Sequence, residues 1–446
     1  MRVATFARAK FGRGVSAVMA ATAAFTFTAA APAMAQSAIQ PTSKIDAADT
    51  AWMIVATALV LMMSIPGLAL FYSGMVRKKN VLATMAQTFA ATALTSVLWM
   101  AIGYTLTFTG AGPILGTLDR VMMRGIGLDT VSPLAPTIPE ALFLIYQMTF
   151  AVITVALVAG SVADRMRFSA FLWFSALWLL IVYVPIAHWV WGGGFLQRAG
   201  VLDFAGGTVV HLNAGVAGLV GAYLLGARRG YGVDNFAPYD LSLAVIGTGL
   251  LWVGWFGFNG GSALGANSRA VFAITATHLA ASMGALTWMA LEWWERGKPS
   301  VLGMISGAVA GLGTITPASG FVLPWHGLII GLAAGVVCFY ACTWLKIACG
   351  YDDSLDVFGV HGIGGATGTL LVGVFATRSI GHVSGLLEGH AAQVLIQLYG
   401  IVVTLAWSAI ASFLLFKAIS AFTPLRVDKQ SEMEGLDVTQ HGEALQ

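Results

Sequence analysis

The chain has 446 residues, 58% of them hydrophobic and only 10% charged, and its mean hydropathy is +0.81. A soluble protein of this length carries about 25% charged residues, so disorder, a collagen-like fold and a cytosolic α/β enzyme are excluded. The formal net charge of +3 arises at the start: residues 1–35 hold Arg2, Arg8, Lys10 and Arg13 and no acid, and the remainder carries 19 bases against 20 acids. Beyond that start nothing basic is left to attract nucleic acid.

Residues 1–35 read as a cleavable secretory signal, with a basic start, an Ala/Thr-rich apolar stretch from Val15, and Ala33-Met34-Ala35 before Gln36. Eleven apolar segments follow, at about 50–72, 81–108, 139–162, 168–187, 207–227, 240–259, 269–293, 300–317, 325–345, 357–376 and 391–418. Nearly all approach the roughly 20 residues that a helix needs to cross the hydrocarbon core; the segment at 300–317 is short and Gly-rich. Residues 36–424 therefore form one membrane domain, and 425–446 a tail. Starting outside, the inner loops and tail receive Arg77, Lys78, Lys79, Arg165, Arg167, Arg228, Arg229, Arg296, Lys298, Lys346, Lys417, Arg426 and Lys429, and the outer loops only Arg120, Arg124, Arg198, Arg269 and Arg378. Bases favour cytoplasmic loops, which places the mature N-terminus outside and the C-terminus in the cytoplasm, in an inner (plasma) membrane. The 53 glycines run through the spans as well as the turns, as suits a tight bundle without a large aqueous lumen.

An internal repeat links the fifth and tenth segments. Val210-His211-Leu212-Asn213-Ala214-Gly215 and Val360-His361-Gly362-Ile363-Gly364-Gly365 each have Gly at four and seven residues past the His, and Asp (Asp203, Asp353) eight before it. Five spans separate the copies, so the two halves have opposite topology, which puts a substrate site near the midplane between them. The expected fold is an all-α polytopic membrane protein of eleven transmembrane helices: two inverted five-helix repeats plus a long C-terminal helix. Ionisable groups inside spans are costly and face the bundle interior, so His211 and His361 are the prime functional candidates, able to pass a proton or exchange hydrogen bonds in a narrow pore.

No carboxylate cluster accompanies them. Asp353 and Asp356 read as N-terminal caps of the tenth helix; Asp203 is placed to hold negative potential near an outer vestibule. Trp189-Val190-Trp191-Gly192 and Trp255-Phe256-Gly257-Phe258-Asn259-Gly260-Gly261-Ser262 stand at outer helix ends. An indole face beside a hydroxyl suits a small cation, a contact of about 0.5–2 kcal/mol. The cysteines Cys338, Cys342 and Cys349 lack disulfide or metal-ligand spacing and read as packing residues.

Four motifs, Pro66-Gly67-Leu68-Ala69-Leu70-Phe71-Tyr72-Ser73-Gly74, Asp203-Phe204-Ala205-Gly206-Gly207-Thr208-Val209-Val210-His211, Gly254-Trp255-Phe256-Gly257-Phe258-Asn259 and Asp356-Val357-Phe358-Gly359-Val360-His361-Gly362, closely resemble the ammonium transporter family. The similarity runs from Trp52 to the tail. It implies no enzyme and no cofactor or metal, but a homotrimer in the lipid bilayer with one pore per subunit, serving nitrogen uptake. Ammonium would be recruited outside by Trp191 and Ser262 near Asp203, and deprotonated. It would then pass as ammonia through the stacked rings of Phe150 and Phe258 to the twin histidines. Tyr146 stands where many members have a Phe, adding a hydroxyl to the outer site. Asn259, Trp255, Ile65, Thr316 and Val357 match further residues of the pore or its surroundings.

The tail matches the family's cytoplasmic regulatory tail through Gly435-Leu436-Asp437 and His441-Gly442-Glu443, and implies docking of a PII signalling protein. Its acids are expected to rest on Arg77, Lys78, Lys79, Arg165 and Arg167, as displaceable surface pairs worth about 0–1 kcal/mol each. Two other readings compete. One makes His211 and His361 axial haem ligands, although His278 and His326 do not repeat the pattern. The other is an ammonium sensor that signals through a PII-type partner.

Overall fold

The computed structural model of the protein describes residues 44–445, so the expected signal at 1–35 lies outside the described residues. Apolar helices follow in order as α1 Ala47–Met75, α2 Lys78–Phe108, α3 Glu140–Val162, α4 Phe168–Arg198, α5 Gly207–Leu225, α6 Leu241–Gly260, α7 Ser268–Arg296, α8 Val301–Ile315, α9 His326–Cys349, α10 Phe358–Phe375 and α11 Ala392–Ser420. Among the described residues ten of these are long and apolar enough to cross a membrane, and α8 is shorter. At 15 residues α8 rises only about 22 Å, less than the hydrocarbon core. Ten of the eleven expected spans thus have full length; the exception is the Gly-rich segment expected at 300–317. The chain is an all-α multi-pass membrane protein. A two-stranded hairpin, β1 Val131–Ser132 and β2 Ala135–Pro139, sits between α2 and α3.

Helix starts are set by short polar side chains that take up amides left free in a first turn. Asp46 accepts from Asp49, Asp240 from Ser242 and Leu243, Asn267 from Ala270, and Ser300 from Gly303. Several spans contain a turn widened to i→i+5 bonding, among them Met63–Leu68, Gly207–Leu212, Phe256–Gly260 and Phe358–Gly362. Such wide turns shift the side chains after them and free backbone carbonyls, and they recur at functional sites. Here they carry His211, Phe258 and His361.

The repeated glycines have a packing reason. A Cβ on Gly215 would collide with the backbone of Gly362, and one on Gly365 would lie 2.9 Å from the His211 Cβ. The glycines four residues past each His therefore let α5 and α10 approach backbone to backbone. Those seven past do the same elsewhere: Gly218 lies against Ser161 of α3, and Gly368 against Thr314 of α8. The repeated aspartates are also explained. The Asp203 carboxylate accepts from the amides of Gly206, Gly207, Thr208 and Val209 and from the Thr208 hydroxyl, and Asp353 accepts from the Phe358 amide at 2.7 Å. Each Asp caps the helix that carries its His. Asp356, expected as a second cap, pairs instead with Lys346 at 2.8 Å.

The tail folds into α12 Lys429–Glu434 and α13 Leu436–His441 and packs across one end of the bundle. Backbone bonds Arg167 N to Leu425 O and Val427 N to Arg165 O tie it to the α3–α4 connection. The expected pairing of its acids with Arg77, Lys78, Lys79, Arg165 and Arg167 is corrected. Glu432 is gripped by Arg426 and Arg229, and Asp437 accepts from the Ala83 amide in the first turn of α2. Lys79 donates to the carbonyls of Glu432 and Met433. Arg77 binds Asp164, and Arg165 binds Ser354 and the Asp352 carbonyl. Glu432 and Asp437 are 1% and 2% exposed, so these are seated contacts rather than displaceable surface pairs. Burial forces each carboxylate to take partners, and helix amides offer better geometry than mobile side chains.

Candidate functional site

Two helical stripes face each other along the bundle axis. On α3, Tyr146, Phe150, Ile153 and Leu157 recur at spacings of four, three and four; on α6 and its continuation Leu251, Trp255, Phe258 and Ser262 recur at four, three and four. That period keeps each set on one face. Phe150 and Phe258 meet face to face with centroids 4.2 Å apart and planes 22° apart.

On the side away from the tail, the half-buried Trp191 stands edge-on to Phe150, centroids 5.8 Å apart. Its indole N–H donates to the Asp203 carbonyl at 2.8 Å. Ser262, also half-buried, donates to the Phe258 carbonyl at 2.8 Å, which leaves its oxygen lone pairs free to accept. Tyr146 is fully buried; its hydroxyl lies 3.0 Å from the carbonyls of Gly257 and Phe258 and 3.4 Å from Ser262 Oγ. The structure thus gathers Trp191, Ser262, Tyr146, Phe150 and Phe258. Asp203 is close through its carbonyl, while its carboxylate is consumed by the start of α5.

Below the stacked rings come the histidines. His211 stacks on Trp255 with centroids 5.5 Å apart, and its Nδ1 lies 3.2 Å from His361 Nδ1. The rings are within 14° of parallel. A hydrogen bond between two Nδ1 atoms requires one to donate and the other to accept, so two neutral rings must be opposite tautomers. One Nε2 then carries a proton and the other a lone pair. His211 Nε2 is buried and has no protein partner.

The histidines border a narrow cavity of ≈ 10 Å³, closed on the other sides by Met63, Leu68, Phe71, Ile153, Leu157, Leu251, Trp255, Phe258 and Val309. Apart from the imidazoles, its wall offers a cation no charge. His361 also faces a wider vestibule of ≈ 280 Å³ towards the tail, with Phe236, Glu292, Arg296 and Asp356 among its lining.

Of the pore-lining residues expected from sequence, His211, His361 and Trp255 border the cavity, and Ile65, Asn259, Thr316 and Val357 do not. Thr316 accepts from the Trp255 indole at 2.9 Å and so orients that ring. Asn259 donates to Thr277. Val357 is buried beside Gly160. Ile65 lies at the break of α1, where Met63 and Leu68 take the inward positions. Sequence reading also missed Ile153, Leu157 and Leu251, although continuing the helical period from Phe150 and Phe258 reaches all three. Cys338 is buried, as packing predicts, but Cys342 borders the vestibule.

A family description, the Ammonium Transporter Family, matches residues 51–445. The chain is 47% identical to an ammonium transporter of Bacillus subtilis over 397 residues, 89% of this chain and 97% of the relative. It is also 47% identical to one of Aquifex aeolicus over 404 residues, covering 90% and 94%. Among solved structures it is similar to Saccharomyces cerevisiae Mep2, with TM-score 0.81, 37% identity and coverage of 87% and 89%. A structure titled "Sensor Amt Protein" matches with TM-score 0.82 at 28% identity, covering 88% of this chain and 98% of that one.

Proposed function

The chain belongs to the ammonium transporter family, and from that premise we propose that it recruits ammonium, removes a proton and passes ammonia. The first contact is the Trp191 face, whose quadrupole attracts a cation, with Ser262 Oγ accepting an N–H bond. Asp203 acts by position: it holds Trp191 through its carbonyl and the start of α5 through its carboxylate. The stacked pair Phe150–Phe258 closes the way onward. A bare ion entering the apolar cavity would lose its hydration for very little return, so the proton is given up before or at the histidines. It goes to water on the Trp191 side or to the free Nε2 lone pair of the histidine pair. Beyond the rings, the Nε2–H of one imidazole and the Nε2 lone pair of the other offer a donor and an acceptor to an uncharged molecule that has both. The tail-bearing end, where the bases gather, faces the cytoplasm in this reading, so the Trp191 side is the outer entrance and the His361 side opens to the cytoplasm.

The observation that carries the proposal is the stacked ring pair set directly over a paired-histidine cavity too narrow for a hydrated ion. Flux and current recorded together from the reconstituted protein under an ammonium gradient test it. Saturable ammonium uptake with potassium excluded is expected; equal potassium conduction would overturn it.

A homotrimer with one such pore per subunit, cleavage of residues 1–35, and a plasma-membrane location belong to the same proposal. Native mass spectrometry and N-terminal sequencing test the first two. The seated tail favours regulation from that end. A PII protein is proposed to dock there, and normal PII affinity and normal flux after deletion of 425–446 would remove that role. A sensor function acting through the same partner is the second reading, and loss of downstream signalling with intact flux would favour it.

A further inference from the structure

Tyr146 is aligned with the outer site, yet none of its surface is exposed. Its hydroxyl points into the wide turn Phe256–Gly260, within 3.0 Å of the carbonyls of Gly257 and Phe258. These carbonyls lie in the last turn of α6, and that of Gly257 also accepts from the Gly261 amide. The Phe258 carbonyl receives a second hydroxyl, that of Ser262, at 2.8 Å. The backbone of one gate ring is thus held by two side-chain hydroxyls, and the opposite gate ring, Phe150, lies one helical turn from Tyr146 with centroids 5.0 Å apart.

Room for this contact is made by Gly261, where a Cβ would lie 2.6 Å from the Tyr146 oxygen and 2.8 Å from the Ala56 Cβ. Any larger residue there would push the phenol away from the turn.

We propose that Tyr146 is a positioning residue of the gate: its hydroxyl fastens the wide turn of α6 to α3 and so sets the separation and tilt of the Phe150–Phe258 pair. This rests on the transport reading above and adds a selectivity determinant to it. Tyr146 does not itself bind ammonium; Ser262 and Trp191 do. The hydroxyl proton is committed to carbonyls, and the buried ring offers no open face to a cation. Without the hydroxyl the Phe258 carbonyl keeps only its Ser262 bond, the turn gains freedom, and the aperture widens for amines larger than ammonium.

The test compares Tyr146→Phe, Ser262→Ala and the parent protein in proteoliposomes, using ammonium and methylammonium. Loss of one buried hydrogen bond corresponds to about a two- to tenfold change in an equilibrium. Tyr146→Phe is accordingly expected to raise the methylammonium-to-ammonium flux ratio at saturation severalfold while the half-saturating ammonium concentration stays within about twofold, against a larger rise for Ser262→Ala. Backbone amide exchange in 256–262 should quicken in Tyr146→Phe and also in Ser262→Ala, since each removes one hydroxyl from the Phe258 carbonyl. The half-saturating concentration is what separates the two variants. A raised half-saturating concentration in Tyr146→Phe with an unchanged flux ratio would make the hydroxyl a substrate contact and overturn the proposal. So would a variant identical to the parent in both flux ratio and exchange. A parent that carries no saturable ammonium flux would instead refute the transport reading, and the exchange comparison would still decide whether Tyr146 fastens the turn.

Discussion

In the proposed path, Trp191 and the two histidines divide the work of moving a cation's nitrogen across an apolar barrier. The indole sits on the open side of the Phe150 edge, where a positive charge is still hydrated and a weak, reversible attraction is enough. Trp191→Leu removes the quadrupole and keeps an apolar side chain. At about 0.5–2 kcal/mol for the contact, the half-saturating ammonium concentration should rise roughly two- to thirtyfold, with little change in saturating flux. Concentration-dependent uptake in vesicles measures it. The histidines lie buried, held Nδ1 to Nδ1. Replacing His211 by Asp together with His361 by Glu places two carboxylates against an apolar wall. Those groups favour a cation beside them, so the double variant should conduct or trap potassium where the parent excludes it. Potassium current through the reconstituted double variant is the readout, and unchanged exclusion would remove the histidines from the barrier.

Helices α5 and α10 carry those histidines only because each begins on a buried aspartate. Asp203 accepts five bonds from the first turn of α5, and its loss would strand several buried donors at once. An ordinary cap substitution costs about 0.5–2 kcal/mol, and stranded buried donors add about 1–3 kcal/mol each. Asp203→Ala should therefore lower the thermal midpoint of the detergent-solubilised protein by many degrees and abolish uptake with it. Asp353→Ala should be milder, since one amide, that of Phe358, depends on that carboxylate. Thermal unfolding of the two variants side by side checks the order; equal losses would mean that Asp203 serves no more than an ordinary cap. At this scale the sequence was readable in part. The repeat of His, Gly and Asp was visible, and so was its importance, but Asp203 read as a source of negative potential. Its five donors are mostly backbone amides, which have no letter in the sequence. For the same reason the partners of Thr316, which orients Trp255, and of Asn259, which binds Thr277, are not legible in the sequence.

Across the whole molecule, the tail is wired to the membrane bundle through a charged network. Asp164 binds Arg77 and Asn80, Asn80 accepts from the Leu436 amide, and Arg228 holds Asp352 with bonds of 2.7 and 2.9 Å. Burial pushes the Asp352 carboxyl up, but the bonds from Arg228 and the nearby Arg165 outweigh it and hold the group below the usual carboxylate range. A depressed carboxylate contributes stability that is complete above its unfolded pKa of about 3.9 and is lost as pH falls through the lower folded value. The Arg228–Asp352 contact should keep its contribution to thermal stability from pH 8 down to about 5 and lose it only below about 4. The thermal midpoint of the parent against Asp352→Asn across that range measures it. Glu432→Gln should free the tail at neutral pH, because Arg426 would keep its backbone bonds and lose its charged partner; about 1–3 kcal/mol is at stake. A tail equally protected from protease in that variant would show that the apolar contacts of Leu436 and Val427 suffice.

What the sequence determined by itself was the membrane class, the order of apolar spans, the twin histidines and the family, because each is written in residue type and spacing along the chain. Period and hydropathy survive any packing. Tertiary structure alone decided which face of each helix looks into the cavity, that Tyr146 is buried beside the Phe150–Phe258 pair, and that the tail's acids meet Arg426, Arg229 and a helix amide rather than the bases nearest in kind. These depend on backbone groups and on the crossing of α5 with α10, where the glycines at 215 and 365 allow contact. A glycine's meaning lies in what approaches it, and that is set by the partner helix about 150 residues away.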